Sequence, residues 1–406
     1  MECKGSAQVV KPDLIFFAGI EWSGQNTMPC HHLVAQLVKE YRVFYIDNFG
    51  ALRDLTIHDA ARCFDKLRGG LGAMPSRQEQ RKVAGVEVWQ PWVIPSPRTQ
   101  FIKAINVSLL KRSLEALYQK YEIDRPIIWT RLATDLAWEV ISSLDRRLLI
   151  YQSIDKFPEH PRIAESLRSR YYSSERKFNE NADIVFASAR GLAVEKMEYN
   201  SNTHFLPNGV SQGFGQSKSC QIEFLKSLKG PIVGFAGALG TATDVELLFS
   251  VAEGLPNVDF VFVGTVDRTV SISRLEALPN AHLIGVVDHS DLPEWLSGFD
   301  VGLMPYCINH FQDYTFPSKL AEYLSFDLSI VSTRLPELKP YAEVVALVND
   351  VEEMIMAIQR AISDDDKTNC KLKEKRAEIV ATLTWESIGR KALDEIKVSL
   401  YKNDQS

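Results

Sequence analysis

The sequence predicts an α/β protein of two domains, each built on a mainly parallel, doubly wound sheet. Three observations carry this. Short apolar runs rich in β-branched residues alternate with longer helical patterns along most of the chain. The alternation pauses once, in THFLPNGVSQGFGQSKSCQIEFLKSLKG (203–230), where Gly, Ser, Pro and Asn cluster as in a linker, and then restarts. The length, 406 residues, exceeds what one ordinary core encloses. The expected boundaries are 12–212 for the first domain, 213–384 for the second and 385–403 for a closing segment.

DLIFFAG (13–19) opens the first domain as a fully apolar run, as an interior parallel strand would. TMPCHHLVAQLVKEY (27–41) follows with helical spacing. YRVFYID (41–47) and GVEVWQPW (85–92) read as the next strands, and FIKAINVSLLKRSLEALYQKY (101–121) as a long helix. PIIWT (126–130), RLLIYQSI (147–154) and DIVFAS (183–188) complete this half. The second half repeats the rhythm with PIVGFAGALG (231–240), VDFVFVG (258–264), AHLIGVV (281–287), VGLMPY (301–306) and LSIVST (328–333). DDDKT (364–368) reads as a turn and charge cluster, and WESIGRKALDEIKVSLYK (385–402) as an amphipathic helix.

Composition excludes several classes. Apolar residues at 45% and charged residues at 24% suit a soluble globular protein. A net charge of −6 argues against nucleic acid as a partner. No apolar run approaches the roughly 18–20 residues that span a bilayer, and MECKGSAQVVKPD has no apolar export core, so a cytoplasmic location is expected. Cys3, Cys30, Cys63, Cys220, Cys307 and Cys370 form no CxxC pair and suit reduced thiols. His31 and His32 are adjacent, so on a helix they point apart and make a poor metal pair. No metal or cofactor is expected to be required.

Open α/β sheets bind ligands beyond the carboxyl ends of their strands, so the loops there hold the candidates. In DYTFPSKLAEYLSFDLSIVST (313–333) a helix of about two turns precedes a strand, with Pro317 near its start and Leu320, Tyr323 and Leu324 on its apolar face. Lys319 in the first turn opposes the helix dipole, a penalty of about 0.3–1 kcal/mol that suggests an anionic partner. Glu322 lies near the same face, where a carboxylate can accept two hydrogen bonds from a ribose diol. The competing reading is a local Lys319–Glu322 ion pair on a solvated face. After PIVGFAG, Gly237 and Gly240 let the backbone approach a ligand, and the helix that follows is expected to aim free N–H groups at an anion. Asp155, beyond RLLIYQSI, is either a base for an acceptor hydroxyl or a helix cap. Asn208 and Gly209 in LPNGV read as a structural turn between domains.

The carboxyl half resembles the nucleotide-sugar domain of GT-B glycosyltransferases, especially glycosyltransferase family 4 and its relatives. The resemblance lies in GFAGALGTATDVELL, VDFVFVG, NAHLIGVVDHSDLPEWLSGFDVGLMPY and FPSKLAEYLSFDLSIVSTRLPEL, and more faintly in LIYQSIDKF, NADIVFASARGLAVEK and THFLPNGV. It implies a GT-B architecture: two Rossmann-like domains facing across a cleft, with the last helix returning to the first. It implies that Glu322 holds the ribose of a UDP- or GDP-linked sugar. Ser318, Lys319 and Leu320 then meet the diphosphate together with the loop from Gly237 to Gly240, and Val286 and Val287 read the base. Relatives commonly carry a second glutamate eight residues before the first. Here Tyr314 stands in its place, beside Asp313, and is assigned to donor binding. The Arg and Lys that many relatives place after the first strand of this domain are missing from GALGTATD, and Lys319 is expected to supply the positive charge. GIEWSGQNTM falls where relatives hold the acceptor loop, which assigns Glu21, Trp22, Ser23 and Gln25 to the acceptor.

The implied activity is transfer of a sugar to an acceptor hydroxyl, in surface polysaccharide or glycolipid synthesis. Family resemblance favours retention, and a base at Asp155 favours inversion. Two rival readings use the same fold: a nucleotide-sugar-binding protein without turnover, and a sugar-nucleotide epimerase. Residues 53–120 hold twelve Lys or Arg against six acids, with Trp89, Trp92, Val93, Ile94 and Phe101 among them. That mixture suits a lipid-linked acceptor or contact with an anionic membrane from the inner face, or else an ordinary charged surface.

Overall fold

The structure is a computed structural model that describes residues 11–20, 22, 28–47, 85–91, 93–94, 99–160, 163–216, 222–363 and 370–405. The first sheet contains β1 (Asp13–Phe17), β2 (Arg42–Ile46), β3 (Val86–Trp89), β4 (Ile127–Thr130), β5 (Leu148–Ser153), β6 (Ile184–Ala187) and β7 (Thr203–Phe205). Its order is β3-β2-β1-β4-β5-β6-β7 and every pairing is parallel. The second sheet contains β8 (Ile232–Ala236), β9 (Asp259–Val263), β10 (Ala281–Gly285), β11 (Val301–Met304), β12 (Ser329–Thr333) and β13 (Val345–Val348). Its order is β10-β9-β8-β11-β12-β13, again all parallel. The order reverses between β1 and β4 and between β8 and β11, so each sheet has a crevice at its carboxyl edge there.

The apolar runs form strands because both faces of each sheet are covered. Leu14, Phe16 and Trp129 pack under the helix Pro29–Leu37 and the last helix, Trp385–Asn403. Ile15, Phe17 and Phe44 pack on the other face, against Leu110, Leu114 and Leu117 of the helix Gln100–Tyr121. The sequence reading missed two edge strands. β7 has three residues and opens the stretch assigned to the linker, and β13 is a four-residue edge strand with only its ends buried. The run 85–92 is a strand only over Val86–Trp89.

The last helix returns to the first sheet. Thr384 caps it, its hydroxyl accepting from the Ser387 amide at 3.2 Å. Gly389 lies so close to Gln36 that a Cβ would stand 2.4 Å from its Cβ. Lys397 pairs with Glu40 at 2.8 Å, and Lys391 Nζ donates to the Phe205 carbonyl at 2.7 Å. The turn that starts the crossing needs glycine, because a Cβ on Gly209 would stand 2.6 Å from Ile388 and 2.8 Å from the Leu383 carbonyl. A second seam joins the two domains through the helix Arg190–Met197 and the short helix Pro336–Tyr341. The Gly191 amide donates to Glu337 Oε1 at 2.7 Å, and Arg190 donates to the Tyr341 hydroxyl at 3.0 Å.

Candidate functional site

The helix Lys319–Ser325 is fixed from below. Leu320, Tyr323 and Leu324 are buried, and the Ala236 amide at the end of β8 donates to the Tyr323 hydroxyl at 2.9 Å. This carries Lys319 to the crevice between β8 and β11. Its ammonium lies 5.3 Å from the Phe235 ring centroid and 5.8 Å from that of Tyr306. A Cβ on Gly237 would stand 2.5 Å from Lys319 Nζ, so the end of the lysine occupies the space that glycine leaves at the β8 loop. Among the described residues Lys319 and Glu322 form no ion pair with each other or with any other group, which removes the local-pair reading. Burial pushes the Glu322 carboxyl up, with Lys319 and then His289 pulling the other way.

The neighbouring backbone corrects two expectations. The helix Val245–Gly254, which follows the glycine loop, already spends a first-turn amide on its own cap. The Asp244 carboxylate caps it, accepting from the Leu247 amide at 2.9 Å, and would repel an anion. Of the residues expected to hold the diphosphate through the backbone, Leu320 spends its amide on the Pro317 carbonyl at 3.2 Å. Gly237 donates to Val263 O at 2.7 Å, and Gly240 accepts from the Thr243 amide at 2.9 Å, so both are held in the loop. Val286 and Val287 follow β10 at the edge of the sheet. Val286 is exposed and Val287 packs against the core.

Tyr314 is turned toward the first domain. Lys156 Nζ lies 4.0 Å from its ring centroid, and a Cβ on Gly191 would stand 3.2 Å from the ring. This makes it a contact between the domains, a role its place in the motif did not suggest. Lys156 also donates to Glu195 at 2.8 Å, and Glu195 meets the buried Lys196, which pairs with Glu175 at 3.0 Å. Burial works to lower the Lys156 ammonium, but Glu195 and Tyr314 outweigh it and raise it. Sequence inspection missed this chain, whose members Lys156, Glu175 and Glu195 come from separate stretches of the sequence. His32 and His289 close the gap elsewhere, with ring centroids 6.4 Å apart, and His32 stacks on Trp385 at 5.4 Å.

In the first domain Asp155 stands just beyond β5, and burial pushes its carboxyl up to about 6 while Arg131 opposes the shift. Among the described residues it has no hydrogen-bond or ion-pair partner, so it caps no helix. Arg131, just beyond β4, escaped the sequence reading although the strand-end rule that found Asp155 points to it equally. Trp22 is a correction. Its ring is buried 4.7 Å from the Tyr45 centroid and 4.8 Å from that of His31, and its amide donates to Asp47 at 2.9 Å, so it packs the domain and does not line an acceptor site. Glu21, Ser23 and Gln25 lie outside the described residues, as do Trp92 and much of 53–120. Within that segment Trp89 is not free either. It packs against the core, donates to Ser113 at 2.8 Å and lies 5.7 Å from Lys120 Nζ, while Phe101 is exposed.

Two facing parallel sheets with crevices at their carboxyl edges, and a last helix that returns to the first, match known structures over nearly their whole length. Sucrose-phosphate synthase from Thermosynechococcus elongatus superposes with a TM-score of 0.67 at 16% identity, over 97% of this chain and 99% of that one. Anabaena Alr3699/HepE in complex with UDP-glucose superposes with a TM-score of 0.64 at 15% identity, over 95% of this chain and 100% of that one. The chain has the GT-B glycosyltransferase fold. Within this GT-B chain, residues 230–364 match the family model described as glycosyl transferases group 1. The match covers β8 through β13, the domain that holds Lys319 and Glu322. A curated relative, "Putative teichuronic acid biosynthesis glycosyltransferase TuaH" of Bacillus subtilis (strain 168), is 26% identical over 244 residues. That alignment takes in 57% of this chain and 61% of the relative. Among the described residues no helix is long and apolar enough to cross a membrane.

Proposed function

We propose that the protein transfers a sugar from a nucleoside diphosphate donor to an acceptor hydroxyl. The observation that carries this is Glu322, a half-buried carboxylate with no hydrogen-bond or ion-pair partner among the described residues, beside Lys319, an ammonium with no counter-ion there, at the crevice of the second sheet. Leaving both charges unpaired is costly unless a ligand completes them, and a nucleoside diphosphate has the matching parts. Its ribose diol donates to Glu322, and its diphosphate lies against Lys319 and the amides of Ser318 and Lys319, with the base near Val286 and Val287. Lys319 stabilises the charge that grows on the departing diphosphate. Asp155, with a carboxyl near pH 6, is ionised at neutral pH and accepts the acceptor proton. That base role supports inversion, while the family resemblance supports retention, and product stereochemistry decides between them.

The finer assignments are a hexose on UDP or GDP and a role in surface polysaccharide or glycolipid synthesis. The bound UDP-glucose of the HepE structure and the name of TuaH support them. We further propose that the donor lobe is 213–384 and the acceptor lobe 12–212, and that 53–120 holds the chain to the inner membrane face. A second reading, nucleotide-sugar binding without turnover, is favoured by Tyr314, which lies on Lys156 and leaves its motif position without a carboxylate. Incubation with a panel of labelled UDP- and GDP-sugars tests both. Transfer to a glycan or lipid-linked extract, or nucleotide release alone, supports the enzyme. Saturable binding with neither supports the second reading, and no binding of any nucleotide sugar refutes both.

A further inference from the structure

We propose that the acceptor is an anion and that Arg131 binds its charged group. This rests on the glycosyl-transfer reading above and adds the chemical class of the acceptor. Arg131 follows β4, where the strand order of the first sheet reverses, and its amide is anchored to the Phe17 carbonyl at 3.0 Å. Its guanidinium Nε and Nη1 are buried and have no hydrogen-bond partner. Arg168, Arg190 and Arg376 also hold an orphaned nitrogen, but each has a carboxylate within 4.0 Å: Glu159, Glu337 and Asp327. Among the described residues Arg131 has none. Its neighbours therefore feel an unneutralised charge, which works to lower His31 and opposes the upward push of burial on Asp155 and Tyr45.

A guanidinium with two buried, unpartnered nitrogens and no ion-pair partner among the described residues is a costly arrangement, and a fold that keeps one at a crevice has a use for it. Arg131 lines a cavity of about 10 Å³ with Pro29, Cys30, Gln152, Asn208 and Trp385. That volume takes one water-sized atom, so it admits a single oxygen of an oxyanion and no sugar ring. The donor diphosphate has Lys319 on the opposite sheet. Arg131 shares its strand edge with Asp155, so the anion it serves belongs to the acceptor. A phosphate and a carboxylate both present the required oxygens to a guanidinium.

The test uses the full chain, with and without saturating UDP or GDP, and follows the melting temperature as inorganic phosphate, glucuronate or glucose is added. Phosphate or glucuronate is expected to raise it and glucose is not. A response to phosphate alone marks a phosphorylated acceptor, and one to glucuronate alone an acidic sugar. Arg131→Gln should raise the half-saturating anion concentration at least tenfold, and Arg131→Lys should keep part of the response. Without anion, Arg131→Gln should melt at or above the wild-type temperature, because it removes an unpaired buried charge. The proposal fails if no anion stabilises the wild type, if Arg131→Gln responds equally, or if both variants unfold. The UDP and GDP affinities of the same samples test the glycosyl-transfer reading separately, since the anion response is also read without nucleotide.

Discussion

Replacing Glu322 by Gln should move affinity and stability in opposite directions. The side chains are nearly isosteric, so the shape is kept while the charge is lost. In the free protein that charge is a burden. Burial raises the carboxyl above its ordinary value, which means the folded state holds its proton into a pH range where the unfolded chain has released it. Stability therefore falls as pH rises through the window above the unfolded value of about 4.3, and Glu322→Gln should abolish that loss and raise the melting temperature at neutral pH. In the complex the same charge is the asset. Hydrogen bonds to a charged group contribute about 1.5–3 kcal/mol each, and Gln keeps one acceptor of the two. A loss of about 2–3 kcal/mol corresponds to a 30- to 150-fold weaker Kd. Calorimetric titration with UDP and GDP, beside thermal melts of the free proteins, reads both quantities. An unchanged Kd, or a free variant less stable than wild type, would refute the reasoning, because Glu322 would then be a structural group already satisfied.

Four further outcomes are expected. Asp155→Asn should spare nucleotide binding and lower transfer by about 10²–10⁴-fold, and the wild-type rate should rise with pH through about 6, a limb the variant lacks. Lys319→Met should cut kcat by about 10²–10³-fold, the scale of losing one preorganised stabiliser of developing charge. The free protein should scarcely change, since Lys319 holds no ion pair among the described residues; a large fall in its denaturation midpoint would make Lys319 structural. Gly209→Ala should destabilise the fold by about 1–3 kcal/mol, because its Cβ would enter the space of Ile388 and the Leu383 carbonyl; an unchanged urea midpoint would contradict that crowding. Burial lowers His31 to about 4. Since an unfolded histidine takes its proton near 6.5, its contribution to stability should be lost as pH falls from about 6.5 to about 4. Denaturation of the wild type and His31→Gln at pH 7.5 and 5 measures this as a smaller pH dependence in the variant.

The central strands were legible because a parallel strand buried on both faces must be apolar along its whole length, and DLIFF, RVFYI and IVGFA meet that condition. The edge strands Thr203–Phe205 and Val345–Val348 are short and partly solvated, so they lack that signature. The candidate donor residues stood out in the sequence for a related reason. A cation in the first turn of a helix is unfavourable to the helix itself, and Lys319 records that conflict in one dimension. Trp22 misled because a tryptophan in a strand-end loop looks free until His31 and Tyr45, from the following helix and the next strand, close over it.

What sequence could not supply is the list of partners a charge lacks. Lys196 and Arg131 are both basic residues of ordinary local context, yet their fates are opposite. Lys196 is held by Glu175 from a separate helix at 3.0 Å and by Glu195 at 2.9 Å, whereas Arg131 meets no carboxylate among the described residues. The compensated lysine belongs to the chain of ion pairs that runs through Glu195 to Lys156 and ends on Tyr314 of the second domain. That chain sits one residue from Asp155, so the candidate base is attached to a rigid, charge-neutral girder while its own carboxyl and the neighbouring guanidinium remain unpaired. Satisfied charges thus fix the relative position of the domains, and unsatisfied ones mark where a substrate must complete the electrostatics. The distinction is testable by the sign of a single neutralising substitution: Lys196→Met should destabilise the free protein by stranding Glu175, and Arg131→Gln should not.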